Sequence, residues 1–274
     1  MFADDTTLHT AHKQIDVISR RLQTSIDDVT SWCRANCMIL NPNKTETMVV
    51  ATRQKHQLGI PILKLSCNQD EIKQCTKHKL LGVIIDNELQ WQPHLDYISK
   101  IISRNLYLLS KIKAIVDKDT LKLFYNAHIK PHFEYASIVW DECSDNNFKI
   151  LNSLHRRTAK LLLSNPALTT DDKLRELKML PLKEQLVFTK GLFMYKILNG
   201  LAPPYLSQLF TERQSQYANS RNHLNIFRPR IDLVKTSISY SGASLWNSLH
   251  PSVKNAATCQ SFKTKFHIFL SNKL

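Results

Sequence analysis

The segment LDYISKIISRNLYLLSKIKAIV, residues 95–116, decides how most of this chain is built. Its apolar side chains fall at Leu95, Ile98, Ile101, Ile102, Leu106, Leu109, Ile112 and Val116. Steps of three and four put them on one face of a helix. Lys100, Arg104, Lys111 and Lys113 sit among them on the more exposed faces. Downstream the same spacing predicts helices over 119–129 and 148–163, the second carrying His155, Arg156, Arg157 and Lys160. Pro181 suits the first turn of another helix, which Asn199-Gly200 stops. Residues 212–237 are polar, basic and poorly periodic, and read as a mobile loop. A last helix over 261–270 closes the chain. Beyond Pro93, helices dominate.

Upstream the pattern changes. Ile15, Ile18, Leu22, Ile26, Val29 and Trp32 outline one amphipathic helix, and Pro42 breaks the spacing. The β-branched, apolar run over 47–51 suits a buried strand, and 60–65 and 80–85 suggest two more. Gly82 permits a bulge or a close backbone approach. Residues 1–90 therefore read as a helix packed on a small antiparallel sheet. The expected fold is α+β and mostly helical, with three parts at 1–90, 91–165 and 166–274. No internal repeat is found.

At 274 residues the chain is long enough to bury a core as one large domain or two. A hydrophobic share of 43% with 22% charged residues reads as globular, and five glycines argue against low complexity. No apolar run reaches the roughly 18 residues a membrane helix needs. The acidic, polar start is unlike a secretory signal. Cysteines stand at 33, 37, 67, 75, 143 and 259. Cys33 and Cys37 lie one helical turn apart, but no second Cys or His pair is read as completing a zinc site. Free buried thiols in a reducing, intracellular compartment are the better reading.

The net charge of +14 is uneven. Residues 1–90 carry 11 Lys and Arg against 10 Asp and Glu; residues 91–274 carry 26 against 13. The excess suggests a polyanion-binding face in the later part. The same balance suits a soluble basic protein with no such partner, and solvated helix faces account for the individual lysines and arginines.

Asp4 and Asp5 adjoin within Met1-Phe2-Ala3-Asp4-Asp5. Adjacent carboxylates at the tip of a hairpin can reach hard cations such as Mg²⁺. Asp27-Asp28 and Asp171-Asp172 repeat the doublet where helix faces or caps explain it, so the pair alone is weak evidence. The order of the other segments says more. Phe2-Ala3-Asp4-Asp5 is followed by Trp32, Ala35 and Asn36, then by Asn41-Pro42-Asn43-Lys44-Thr45 with Met48. Leu81-Gly82-Val83-Ile84-Ile85-Asp86, Leu89, Trp91 and His94 come next, and Pro131, Tyr135 and Trp140 after them. Ala202-Pro203-Pro204-Tyr205-Leu206 and Leu245-Trp246-Asn247 complete the series. In this order and spacing the chain resembles the C-terminal part of the reverse transcriptase of non-LTR, LINE-type retrotransposons, most closely jockey and CR1-like elements.

The resemblance implies a palm remnant over 1–90 that starts at palm motif C. A helical thumb-like region over 91–165 and a helical C-terminal region would follow. It implies that Asp4 and Asp5 contribute to a Mg²⁺ site in the intact RNA-directed DNA polymerase, Asp4 more directly. Lys44, in the motif D position, would assist the departing pyrophosphate; a solvated loop lysine is the plainer account. Palm motifs A and B and the fingers are missing, so little or no polymerase activity is expected from this polypeptide alone. Lys100, Arg104, Lys111, Lys113, Arg156, Arg157 and Lys160 become candidates for phosphate contacts to an RNA template and DNA primer. Trp91, Trp140, Trp246, Tyr125 and Tyr135 offer stacking faces, although their apolar neighbours favour core packing. His94 and His155 have no carboxylate or cysteine at metal or triad spacing and receive no catalytic role. The rival reading is a non-enzymatic basic helical module that binds nucleic acid or a protein; a decayed copy without function fits equally.

Overall fold

Ile26, Thr30 and Cys33 form the buried side of α1 (Ile15–Ala35), the first element of the computed structural model, which describes residues 6–68, 70–213 and 223–272. Ile26 packs with Leu63, Leu65, Cys67 and Ile72, and the Thr30 hydroxyl meets Cys67 Sγ at 3.9 Å. Gln23 locks the contact: its amide donates to the Ser66 carbonyl and accepts from the Ser66 N–H, both at 3.0 Å. Trp32 lies outside this face and is 57% exposed. Cys37 ends the helix in a left-handed conformation, φ 55°. Its N–H returns to the Arg34 carbonyl and that of Met38 to Cys33, the paired bonds of a Schellman stop.

The strands that follow are short. They are β1 (Glu46–Thr47), β2 (Ser66–Cys67), β3 (Asp70–Glu71), β4 (Lys73–Gln74), β5 (Lys77–Leu80) and β6 (Val83–Asp86), with α2 (Arg53–Gln57) after β1. They form three two-stranded ladders, not one antiparallel sheet. β1 runs parallel to β4, β2 pairs antiparallel with β3, and β5 with β6. Residues 60–65 carry no strand. Leu63 and Leu65 are buried there, but the Leu63 N–H is satisfied by the Gln74 side chain at 2.9 Å instead of by a neighbouring strand. The β5–β6 hairpin turns on Leu81 and Gly82, at φ 47° and 86°, the double positive φ of a tight hairpin loop. Just after it the buried Asp86 carboxylate accepts from the N–H groups of Glu88, Gln90 and Trp91, at 2.7–3.1 Å.

The remaining elements are all helical. They are α3 (Gln92–Ile112), α4 (Lys118–His128), α5 (Lys130–Glu134), α6 (Ser137–Trp140), α7 (Asp145–Leu162), α8 (Thr170–Glu176) and α9 (Leu182–Leu198). After them come α10 (Pro204–Ser207), α11 (Asp232–Lys235), α12 (Ile238–Ser248), α13 (Pro251–Lys254) and α14 (Cys259–Ser271). Their starts are written in the sequence. Asp117, Ser144 and Thr258 each accept from a first-turn N–H, and Thr169 with Asp172 forms a capping box.

The fold is thus α+β and mostly helical. The chain divides into two compact units, Met1–Pro93 and His94–Leu274. In the second, α9 is the central rod: it packs against α5, α6, α7, α10, α12 and α14. Its Met194 and Tyr195 join Trp246, Phe262, Phe266 and Leu270 in one core. Gly191 lets the Phe266 ring lie against the helix, since a Cβ there would fall 2.3 Å from a ring carbon. In the region read as a mobile loop, residues 214–222 lie outside the described residues. Leu224, beyond them, is buried and held twice by the Asn247 amide, at 2.8 and 2.9 Å. No helix among the described residues is long and apolar enough to cross a membrane.

Candidate nucleic-acid interface

The two faces of α3 differ sharply. Leu95, Ile98, Ile102, Leu106 and Leu109 are buried. On the opposite side, steps of four, three and four residues align Lys100, Arg104, Tyr107 and Lys111, all exposed. Tyr107 is 58% exposed, and the Lys111 ammonium lies 5.3 Å from its ring centroid. Asp96, one turn before Lys100, is the only acidic residue of this helix. Three cations and an aromatic ring therefore share a strip three turns long.

The end of α4 and the short α5 lie beside this strip. The Asn105 amide donates to the His128 carbonyl at 2.5 Å, which ties α3 to the end of α4. His132, at the start of α5, titrates below the ordinary histidine range. Burial is the larger cause, and the Arg104 and His128 charges add to it. The His132 imidazole thus feels both the Arg104 and the His128 side chains. A bound polyanion would offset that effect.

The other basic candidates are dispersed. Lys113 lies one residue past the end of α3, on the side of the apolar stripe, so it does not extend the strip. On α7, Arg157 and Lys160 are exposed, whereas Arg156 is paired with Asp171 at 2.7 Å. Lys44 is exposed at the end of a single 3₁₀ turn, Pro42–Lys44, which Asn41 caps. Asp4 and Asp5 lie outside the described residues. Among the described residues no group of carboxylates gathers as a Mg²⁺ site, so these side chains alone do not fit that ion. The one described cluster with three metal-ligating side chains is of another kind: Glu46, Cys75 and His78.

Of the aromatic candidates, Trp91, Trp140, Trp246 and Tyr125 are buried and serve the core; Tyr135 is exposed. The stacking candidates read from the sequence did not include Tyr107, although its place between Arg104 and Lys111 at helical spacing is a readable signal. His94 and His155 are buried. His155 meets Phe133 edge-on at 5.4 Å, and burial pushes its imidazole down to about 4.

Among known proteins, the chain is 22% identical over 190 residues to the probable RNA-directed DNA polymerase from transposon BS of Drosophila melanogaster. The match takes in 68% of this chain and 20% of that protein. The chain thus spans about a fifth of the length of the curated relative it matches. The similarity supports a relation to transposon reverse transcriptases. No family model matches the chain, and no solved structure matches it.

A polymerase relative puts the α3 strip in a chemical context. Cations spaced along one helix face suit a row of phosphates, and an exposed ring between them suits a sugar or an unpaired base.

Proposed function

We propose that this chain is the thumb-side portion of an RNA-directed DNA polymerase from a non-LTR, LINE-type retrotransposon of the jockey and CR1-like kind. In this reading α3 lies along the sugar–phosphate backbone of the template–primer duplex. The observation that carries it is the strip of Lys100, Arg104, Tyr107 and Lys111, set opposite the buried face of the same helix. Phosphate contacts fix position and affinity but carry no sequence information. A polymerase needs that property where it holds a duplex whose sequence changes at every step. Arg157 and Lys160 on α7 supply further cations, and Arg156 joins them if a phosphate displaces Asp171.

The polypeptide by itself is expected to hold nucleic acid without extending it. Two-ion phosphoryl transfer needs carboxylates from more than one strand. Asp4 and Asp5 supply one pair, which would complete a Mg²⁺ site only with a carboxylate from elsewhere in the intact enzyme. Lys44 would act on the leaving group only in that assembly.

The test is anisotropy of a fluorescent RNA–DNA hybrid with the purified chain at rising salt, followed by primer extension with Mg²⁺. Affinity should fall steeply with salt, and no template-dependent incorporation should appear. Salt-insensitive binding would overturn the interface. Robust incorporation would overturn the inactivity.

A further inference from the structure

In the first unit, three side chains of different chemistry converge with no role in the polymerase reading. The ligand atoms of Glu46, Cys75 and His78 all lie within 4.8 Å of one another. His78 Nδ1 is 2.8 Å from Glu46 Oε2. Backbone pairing holds the three in place. Glu46 stands on β1, opposite Lys73 of β4. The Cys75 N–H donates to the Thr47 carbonyl at 2.8 Å, just past the end of that ladder. The Asn87 N–H donates to the Thr76 carbonyl at 2.9 Å, and His78 pairs with Ile85 in the β5–β6 hairpin. In an unbroken strand, residues three apart face opposite sides. The chain bends at Thr76, and Cys75 and His78 converge on Glu46.

We infer that Glu46, Cys75 and His78 form a zinc site, with the carboxylate, the thiolate sulfur and the imidazole nitrogen as three ligands and water as the fourth. The Cys75 thiol is hydrogen-bonded to the same Glu46 carboxylate that His78 meets, so oxygen, nitrogen and sulfur already converge on one point. One oxygen, one nitrogen and one sulfur on a small, ladder-fixed frame is a donor set for Zn²⁺. Mg²⁺ and Ca²⁺ prefer oxygen throughout. Both Glu46 and His78 are partly exposed, so the ion has an entry path and a wet fourth position. Zinc replaces the thiol proton, which leaves to solvent as the Zn–S bond forms. The ion would fasten residue 46 to residues 75–78 across the stretch that carries β2 and β3. The signal in the sequence is the Cys75-x₂-His78 spacing, which lacks a second such pair and so stands out less than Cys33 and Cys37. The site is independent of nucleic-acid binding.

The experiment titrates the full, metal-free, reduced chain with Zn²⁺ against a chromophoric chelator, and repeats the titration with Co²⁺. One ion per chain is expected, with a thiolate-to-cobalt charge-transfer band. Loss of an outer-shell partner already costs roughly 10–100-fold in metal affinity, so Cys75→Ser and His78→Ala should each weaken uptake by more than about a hundredfold. Cys37→Ser should change nothing, and circular dichroism checks that the variants keep their helices. Absence of stoichiometric uptake, a cobalt spectrum without the sulfur band, equal uptake by Cys75→Ser, or loss through Cys37→Ser would each overturn the site.

Discussion

His155 shows how much a single side chain can set. It sits fully enclosed in α7, and neither ring nitrogen makes a hydrogen bond of good geometry, although nearby Gln185 tempers the effect of burial. Its imidazole titrates near 4 in the fold against an ordinary 6.5. The unfolded chain therefore binds the extra proton first. As pH falls from about 6.5 to about 4, stability should drop by up to about 3 kcal/mol through this residue alone. His155→Leu should remove that dependence, read as the difference between urea midpoints of wild type and variant across this range. The difference is needed because Asp141 works the other way. Burial raises its carboxyl to about 6 despite Lys190 at 2.9 Å. That contribution is complete below the unfolded value near 4 and fades as pH rises through 6. Lys190 itself is buried among Asp141, Glu142 and the Ser241 hydroxyl. Lys190→Met strands a buried carboxylate and should cost about 3–5 kcal/mol in urea unfolding. Asp141→Leu in the same chain should recover much of it. Neither buried titrating site was legible in the sequence. Only the fold decides which His, Asp or Lys loses its water.

At the scale of elements, legibility followed length. The long helices α1, α3, α4 and α7 were readable to within a few residues at each end, because a periodic face needs several turns to stand out, whereas α9 was marked by Pro181 and the Asn199-Gly200 stop. The helix α12 was not, since Ile238–Ser248 carries four serines and a glycine among its apolar residues. The two-residue strands were misplaced for a related reason: a ladder that short has no alternation to detect, and Leu63 is buried without belonging to one. The close approach of α9 to α14 was also hidden, although Gly191 in mid-helix was a hint. Phe266 is fully buried and ringed by Phe188, Phe262 and Phe269, with centroids 5.3–6.4 Å away, so its ring has nowhere to turn. Gly191→Ala gains about 1 kcal/mol of helix propensity. Overpacking costs typically 1–3 kcal/mol, and a Cβ at 2.3 Å from the ring puts this site at the upper end. The net should be a melting temperature lowered by several degrees in calorimetry. Pairing the change with Phe266→Leu should give part of it back.

For the whole molecule, charge counting located the basic excess after residue 90, and the fold aligns three of those cations, Lys100, Arg104 and Lys111, on one strip. Counting could not separate Lys111, in line with Lys100, from Lys113, two residues on and facing elsewhere. That separation makes the interface testable through its salt dependence. Each phosphate neutralised by a lysine or arginine releases counterions and contributes about 0.9 to the slope of log affinity against log salt on duplex DNA. A chain with Lys100, Arg104 and Lys111 all changed to Ala loses at most three such contacts. Its slope should therefore flatten by up to about 2.7 relative to wild type. A charge-matched control with Lys13, Arg20 and Arg53 changed to Ala removes as much net charge from exposed positions in the first unit. If non-local attraction to a basic protein governs binding, both triple variants flatten the slope alike. If α3 lies against the phosphates, only the first does. Tyr107→Ala adds an orthogonal reading, since it should weaken binding to a single-stranded overhang by about 1–3 kcal/mol while leaving the salt slope unchanged.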